Sequence, residues 1–242
     1  MIRGKNRSVV LASLAVFTVI GVIGVMPAAY ADDPMSQLLT LNPGVSRDDM
    51  LQAIRLEAAN TGKTETQVLD DSLAGAQDSA VSANLRTTAS SGGGGVVTLG
   101  YATYPGDVFV SPANTLFIQH GHTGIYFGTT VVVEAPGSGQ VSRSINATSL
   151  SVGSGAEKMY VNVSYSDGQA AGDYAYNNLR GKPYNMNFAF NRDPNGSSMN
   201  CSQLVWAAYL QTLGIDLDYD GGPGVYPYDI EKSPWTVTYQ TL

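Results

Sequence analysis

Asn200-Cys201-Ser202-Gln203-Leu204-Val205 is the stretch on which the reading of this chain turns. Asn200 is a good N-cap, and Gln203 three residues later completes the pattern of a capping box. A helix is therefore predicted from Asn200 to Leu213, stopped by Gly214. Leu204, Val205 and Ala208 share a face with Cys201, so the helix packs by that face and holds the sulfur at its N-terminal edge. Backbone N–H groups left over in a first helical turn, and the positive end of the helix dipole, favour a thiolate and an oxyanion there. Cys201 is the single cysteine in 242 residues. It has no internal disulfide partner, which leaves an inert packing residue or a reactive thiol.

A thiol nucleophile needs a base, and the chain has two histidines, His120 and His122, both in Gln119-His120-Gly121-His122-Thr123-Gly124-Ile125-Tyr126. If this run is one strand, both imidazoles point to the same face. Gly121 and Gly124 weaken the strand and admit close approach by another element. A third group must orient the imidazole. Glu134 is the candidate, because it closes the apolar strand Thr130-Val131-Val132-Val133.

The flanking sequence sets the domain plan. Arg3, Lys5 and Arg7, an apolar run from Val9 to Met26, and Ala29-Tyr30-Ala31 form an export signal over residues 1–31, cleaved before Asp32; an uncleaved anchor is the rival. Removing that segment takes the formal charge from −7 to −10. An acidic chain of this kind is a poor nucleic-acid binder, and no second apolar run of membrane length follows. The expectation is a secreted or wall-associated protein with no stable membrane insertion after cleavage. Residues 32–95 read as a helical N-terminal segment. Ser46 caps one helix that stops at Gly62, and a second runs from Thr64 toward Leu85. Ser90-Ser91 and Gly92 to Gly95 follow as a flexible linker. A pro-segment and a partner-binding module are the functional readings of this segment; a weakly ordered spacer is slightly preferred.

Residues 96–242 change to β-branched, alternating runs. Strands are predicted at 96–102, 107–110, 123–127, 131–135, 141–146 and 159–163, with a closing strand at 235–240. A helix is expected over 167–179, ending at Gly181. Together these give one α+β domain. Asp107 reads as a turn or strand-start residue. Asp216-Leu217-Asp218-Tyr219-Asp220-Gly221 copies the first half of a calcium loop, but the twelfth position is Pro227 and not a bidentate Glu. It is read as an acidic loop. No metal site and no organic cofactor are expected.

His122-Thr123-Gly124-Ile125-Tyr126 resembles the His-x-Gly-Ile-Tyr strand of the NlpC-type cysteine peptidases. Gly181-Lys182-Pro183-Tyr184, followed by Asn200-Cys201-Ser202-Gln203-Leu204-Val205, resembles that family's Gly-x-Pro-Tyr and Asp-Cys-Ser-x-Leu-Val segments. The order is reversed, since His122 precedes Cys201 by 79 residues. That reversal is similar to the circularly permuted papain-like branch, the YiiX-like group related to lecithin-retinol-acyltransferase-type proteins. Pro105-Gly106-Asp107-Val108, Glu134-Ala135 and the tail from Val225 to Pro234 also fit it. The resemblance spans roughly residues 100–235. It departs at Asn200, where the family often has Asp; both residues cap helices.

The resemblance implies a permuted papain-like fold with an antiparallel sheet packed on the cysteine-bearing helix. It implies Cys201 as nucleophile, His122 as base and Glu134 as orienter, with Tyr184 and the Cys201 N–H at the oxyanion. His120 takes a secondary place in the cleft. The expected activity is hydrolysis of an amide or peptide bond, cell-wall peptide included, through an acyl-enzyme. The alternatives are a lipid acyl hydrolase or acyltransferase of the same fold, acting on an acylated small molecule, and a catalytically silent wall-associated binding module.

Overall fold

The computed structural model describes residues 33–89, 95–115, 118–119 and 121–242. The expected export signal, His120 and all of the Ser/Gly linker except Gly95 lie outside them. Three helices come first: α1 (Pro34–Leu41), α2 (Arg47–Thr61) and α3 (Glu65–Ala89). Each start has a chemical cause. Asp33 caps α1 with Pro34 at its first position, and Ser46 caps α2, whose first turn carries Asp48 and Asp49. Thr64 and Gln67 exchange hydrogen bonds at the head of α3. Gly62, at φ +72°, ends α2 in the left-handed conformation expected of a glycine C-cap.

The strands and remaining helices follow as β1 (Val96–Thr98), β2 (Val108–Ser111), β3 (Asn114–Thr115), β4 (Ile118–Gln119), β5 (His122–Phe127), β6 (Val131–Glu134), β7 (Arg143–Asn146), β8 (Ser151–Gly153), β9 (Glu157–Val161), α4 (Tyr165–Asn178), α5 (Cys201–Leu213), α6 (Pro227–Lys232) and β10 (Thr236–Thr241). Six of them make one antiparallel sheet in the order β10-β9-β2-β5-β6-β7; β1 pairs with β8 and β3 with β4. The mixed α and antiparallel β architecture agrees with the α+β reading.

Both faces of this sheet are covered, so β2 is buried along its whole length. Val108, Val110, Ile125, Val133 and Met159 face α4 and α5, where Leu204, Val205, Ala208 and Tyr209 complete the main core. The alternate residues Phe109, Tyr126 and Val132 pack with Leu99, Ala147 and Val152 in a second cluster. This is the period-two alternation of a pleated strand.

The N-terminal helices correct the preference for a weakly ordered spacer. Met35, Leu38, Met50, Ile54, Val68 and Ala76 pack in one cluster with Phe188, Ala189, Cys201 and Tyr226. Residues 33–242 thereby form one compact unit. Polar contacts fix the same seam: Ala189 N–H donates to Asn42 Oδ1 at 3.2 Å, and Lys232 meets Asp78 at 2.6 Å. Among the described residues no helix is long and apolar enough to cross a membrane.

Candidate active site

The helix predicted from the cysteine motif is α5, and its capping box is present as written. Asn200 Oδ1 accepts from Gln203 N–H at 2.9 Å, while Gln203 Oε1 accepts from Asn200 N–H at 3.4 Å. A polar net locks this cap. Asn191 donates to Asn200 Oδ1 at 3.1 Å and to the Val225 carbonyl at 2.8 Å, and Ser202 donates to the same carbonyl at 2.7 Å. Asn185 donates to Gln203 Oε1 at 2.9 Å. Losing the Asn200 cap would cost about 1 kcal/mol by helix chemistry alone. Cys201 is the first residue of α5 and is 1% exposed.

His122 opens β5. The strand starts one residue before the expected Thr123, directly after Gly121, which sits at φ +73°. A Cβ there would lie 2.8 Å from Tyr228 Cε2, so both conformation and space demand glycine. Gly124 is equally constrained: its missing Cβ would stand 2.8 Å from Phe109 Cε1 and 3.0 Å from the Val133 carbonyl. The register Ile125↔Val133, carried one pair further, sets Glu134 opposite Gly124. His122 is then its diagonal neighbour on the same face. The side chains meet across the empty glycine position, His122 Nε2 to Glu134 Oε2 at 2.7 Å. Phe109 braces the imidazole edge-on, with ring centroids 5.6 Å apart.

Cys201 neighbours the imidazole closely enough to raise its basicity. Tyr184 in turn neighbours Cys201 closely enough for the two to interact electrostatically. The Gly181–Tyr184 segment is held from both sides: Tyr184 N–H donates to the Gln140 carbonyl at 3.1 Å, and Met199 N–H donates to the Pro183 carbonyl at 2.9 Å. The structure pairs His122 with Glu134, with Cys201 and Tyr184 as electrostatic neighbours of that pair.

Electrostatics bind the cluster. Burial alone would lower the His122 pKa, but hydrogen bonds and charge from Cys201 and Glu134 push it up to about 10. The ring is then an imidazolium at neutral pH. Burial raises Glu134, yet the His122 and Arg143 partners outweigh it and hold the carboxyl below its ordinary range. Burial and the neighbouring Cys201 raise Tyr184, which stays a hydroxyl donor.

Arg143 is the member of this cluster that sequence reading missed. It pairs directly with Glu134 across the β6–β7 ladder, and its Nε and Nη2 both reach Glu134 Oε1, at 3.0 and 2.8 Å. The available signal was an acid and a base closing and opening two strands around the Pro136-Gly137 turn. Asp107 fits its expected role: Oδ2 accepts from Thr103 and Tyr104 N–H, both at 3.0 Å. A cavity of about 350 Å³ lies elsewhere, between the Pro105-Gly106 turn, Tyr160–Ser164 and Tyr209. None of Cys201, His122 and Glu134 lines it.

No family model matches this chain. It is 38% identical over 138 residues to the uncharacterized protein YycO of Bacillus subtilis, a match covering 57% of this chain. The chain spans just over half of that relative, 56% of its length. The crystal structure of metalloprotein yiiX from Escherichia coli O157:H7 aligns with a TM-score of 0.41 at 14% identity, over 57% of this chain and 97% of that one.

Proposed function

We propose that this protein is a secreted cysteine hydrolase of permuted papain-like fold, cleaving an amide or peptide bond with Cys201, His122 and Glu134. The observation that carries this reading is the 2.7 Å His122–Glu134 contact, with the single cysteine close enough to raise the basicity of the same imidazole. Cys201 Sγ adds to the carbonyl carbon, and the oxyanion is met by the Cys201 N–H and the Tyr184 hydroxyl. The imidazolium protonates the departing amine as the C–N bond breaks, leaving a thioester. His122 then takes a proton from water, which attacks the thioester and frees the acid and the thiol. Glu134 holds the ring and its charge throughout, as the acid does in other triads. Cell-wall peptide is the substrate class proposed for an exported enzyme of this kind.

The same reading makes residues 33–89 a pro-segment. Cys201 shares its packed cluster with residues of α1, α2 and α3, so these helices must move before an acyl group reaches the sulfur.

The test is hydrolysis of peptidoglycan stem peptides by the purified chain, before and after cleavage at a protease site inserted among Gly92–Gly95. Turnover that rises on cleavage and vanishes in Cys201→Ala supports the proposal. Turnover retained in Cys201→Ala removes the mechanism, and release of fatty acid from acyl esters instead of peptide cleavage reassigns the substrate to lipid.

A further inference from the structure

We propose that Asp218, Asp220 and Asp229 form a calcium site between the loop that follows the catalytic helix and the head of α6. The sequence motif fails at its twelfth position, but the fold replaces it. Asp229, two residues past Pro227, lies in the first turn of α6 and faces the loop. One oxygen from each of the three carboxylates converges, no two farther apart than 4.8 Å. Calcium takes oxygen ligands at about 2.3–2.6 Å, so such a spread fits around one ion; magnesium, at about 2.0–2.1 Å, needs a tighter set.

Each carboxylate is already steered by a fixed donor. Gly222 N–H donates to Asp220 Oδ1 at 2.8 Å, Tyr226 N–H to Asp229 Oδ2 at 2.8 Å, and Arg192 pairs with Asp218 Oδ2. Asp216, the motif's first position, points away. Its oxygens accept from Trp206 Nε1 at 2.9 Å and Arg192 at 2.6 Å.

One buried polar atom points to a missing ligand. The Asp218 side chain is 0% exposed, yet its Oδ1 has no hydrogen-bond partner. The side chain within its reach is another carboxyl, Asp220. Tyr226, 2% exposed, packs beside the trio and feels the charge of all three acids, while its hydroxyl reaches toward Asn42. Tyr226 and Asp220 meet over Gly75 of α3: a Cβ there would lie 3.4 Å from Asp220 Oδ2 and 3.7 Å from Tyr226 Cε2. Unmatched buried acceptors are costly, and a cation satisfies several at once. A groove of about 640 Å³, lined by Gly75, Asp78, Tyr219, Asp220 and Gly222, opens beside Asp220 and admits the water ligands a calcium ion needs.

The ion would join the loop after α5, the start of α6 and the covering helix α3. The test uses the full chain stripped with EDTA and titrated with CaCl2 by calorimetry, with MgCl2 as a second arm and TbCl3 luminescence sensitised through the nearby tyrosines. One saturable calcium site is expected, displacing terbium, with magnesium roughly tenfold weaker. Asp220→Asn and Asp229→Asn each weaken calcium binding by roughly tenfold or more, while Asp216→Asn stays within about threefold. Calcium also raises the melting temperature of the wild type, a readout that needs no variant to fold. Absence of saturable binding and of any melting shift overturns the proposal. So does magnesium binding equal to calcium, or binding that depends on Asp216 and ignores Asp229.

Discussion

Two buried acidic sites in this molecule face opposite electrostatic fates. Glu134 is 1% exposed, and the fold gives it two cations: His122 on one oxygen and the Arg143 fork on the other. Its carboxyl is held below the ordinary range. Asp218 and Asp229 are buried too, but their neighbours are mainly other acids. Burial and mutual repulsion raise them to about 7 and about 8. Desolvation penalises every buried charge; the partner decides whether the charge survives. Glu134 is built to stay ionised and to hold a proton on His122. The aspartate trio is built around a positive charge that its own side chains do not fully supply.

The largest effect should come from taking the cation away from Glu134. His122→Ala removes the base and leaves a buried carboxylate with Arg143 alone. Hydrolysis should fall by roughly 10³-fold or more, measured as kcat on the same peptide substrate. A loss under about tenfold would place the base elsewhere, and His120 would be the next residue to change.

Glu134→Gln removes the charge and keeps the shape. It should cost roughly 10²-fold in kcat with little change in KM. It also carries a pH signature. The folded pKa of Glu134 lies below its ordinary 4.5, so its stabilising contribution is complete above that value and is lost as pH falls through the folded value. Acid unfolding, followed by circular dichroism, should therefore be shallower in Glu134→Gln. An identical acid limb would mean that Glu134 is not held as an anion.

Arg143→Met should be milder. Its side chain is 44% exposed, so water screens its charge, and His122 still pairs with Glu134. A fall of roughly three- to tenfold in kcat is expected, recovered in part by Arg143→Lys. No change would reduce the ladder pair to structure.

The smallest effect tests the other site. Asp229→Asn keeps the acceptor for Tyr226 N–H and removes an acid whose pKa folding raises to about 8, so the cost of taking up a proton on folding disappears. Without calcium the variant should be more stable than the wild type by about 1 kcal/mol in urea unfolding. With calcium the order should reverse. Destabilisation under both conditions would show that Asp229 is only a cap for α6.

Much of the site was legible because its signals are local. Asn200 with Gln203, Gly214 and Gly62 each act through bonds a few residues away, and Glu134 stood out as the acid that closes an apolar strand. What sequence reading missed depends on pairing in space. Arg143 matters because the β6–β7 register sets it opposite Glu134. Gly121 must be glycine because Tyr228, over a hundred residues later, leaves no room for a Cβ. The packing of α3 was hidden by its composition: Val68, Ala76 and Ala83 are small, and their burial reflects close approach more than a broad apolar stripe. Asp229 lies outside any twelve-residue calcium loop and joins the acids only through the turn into α6.

The central claim is that Cys201, His122 and Glu134 share one charged network, and the most direct measurement is the titration of His122 by NMR. The chain has two histidines, so a ¹³C,¹⁵N-histidine sample of wild type, assigned with His120→Gln, isolates the ring. The account predicts an imidazolium that persists through neutral pH and titrates near 10, falling toward the ordinary value of about 6.5 in Cys201→Ala. A His122 that titrates near 6.5 in the wild type, and ignores the loss of Cys201, would contradict it.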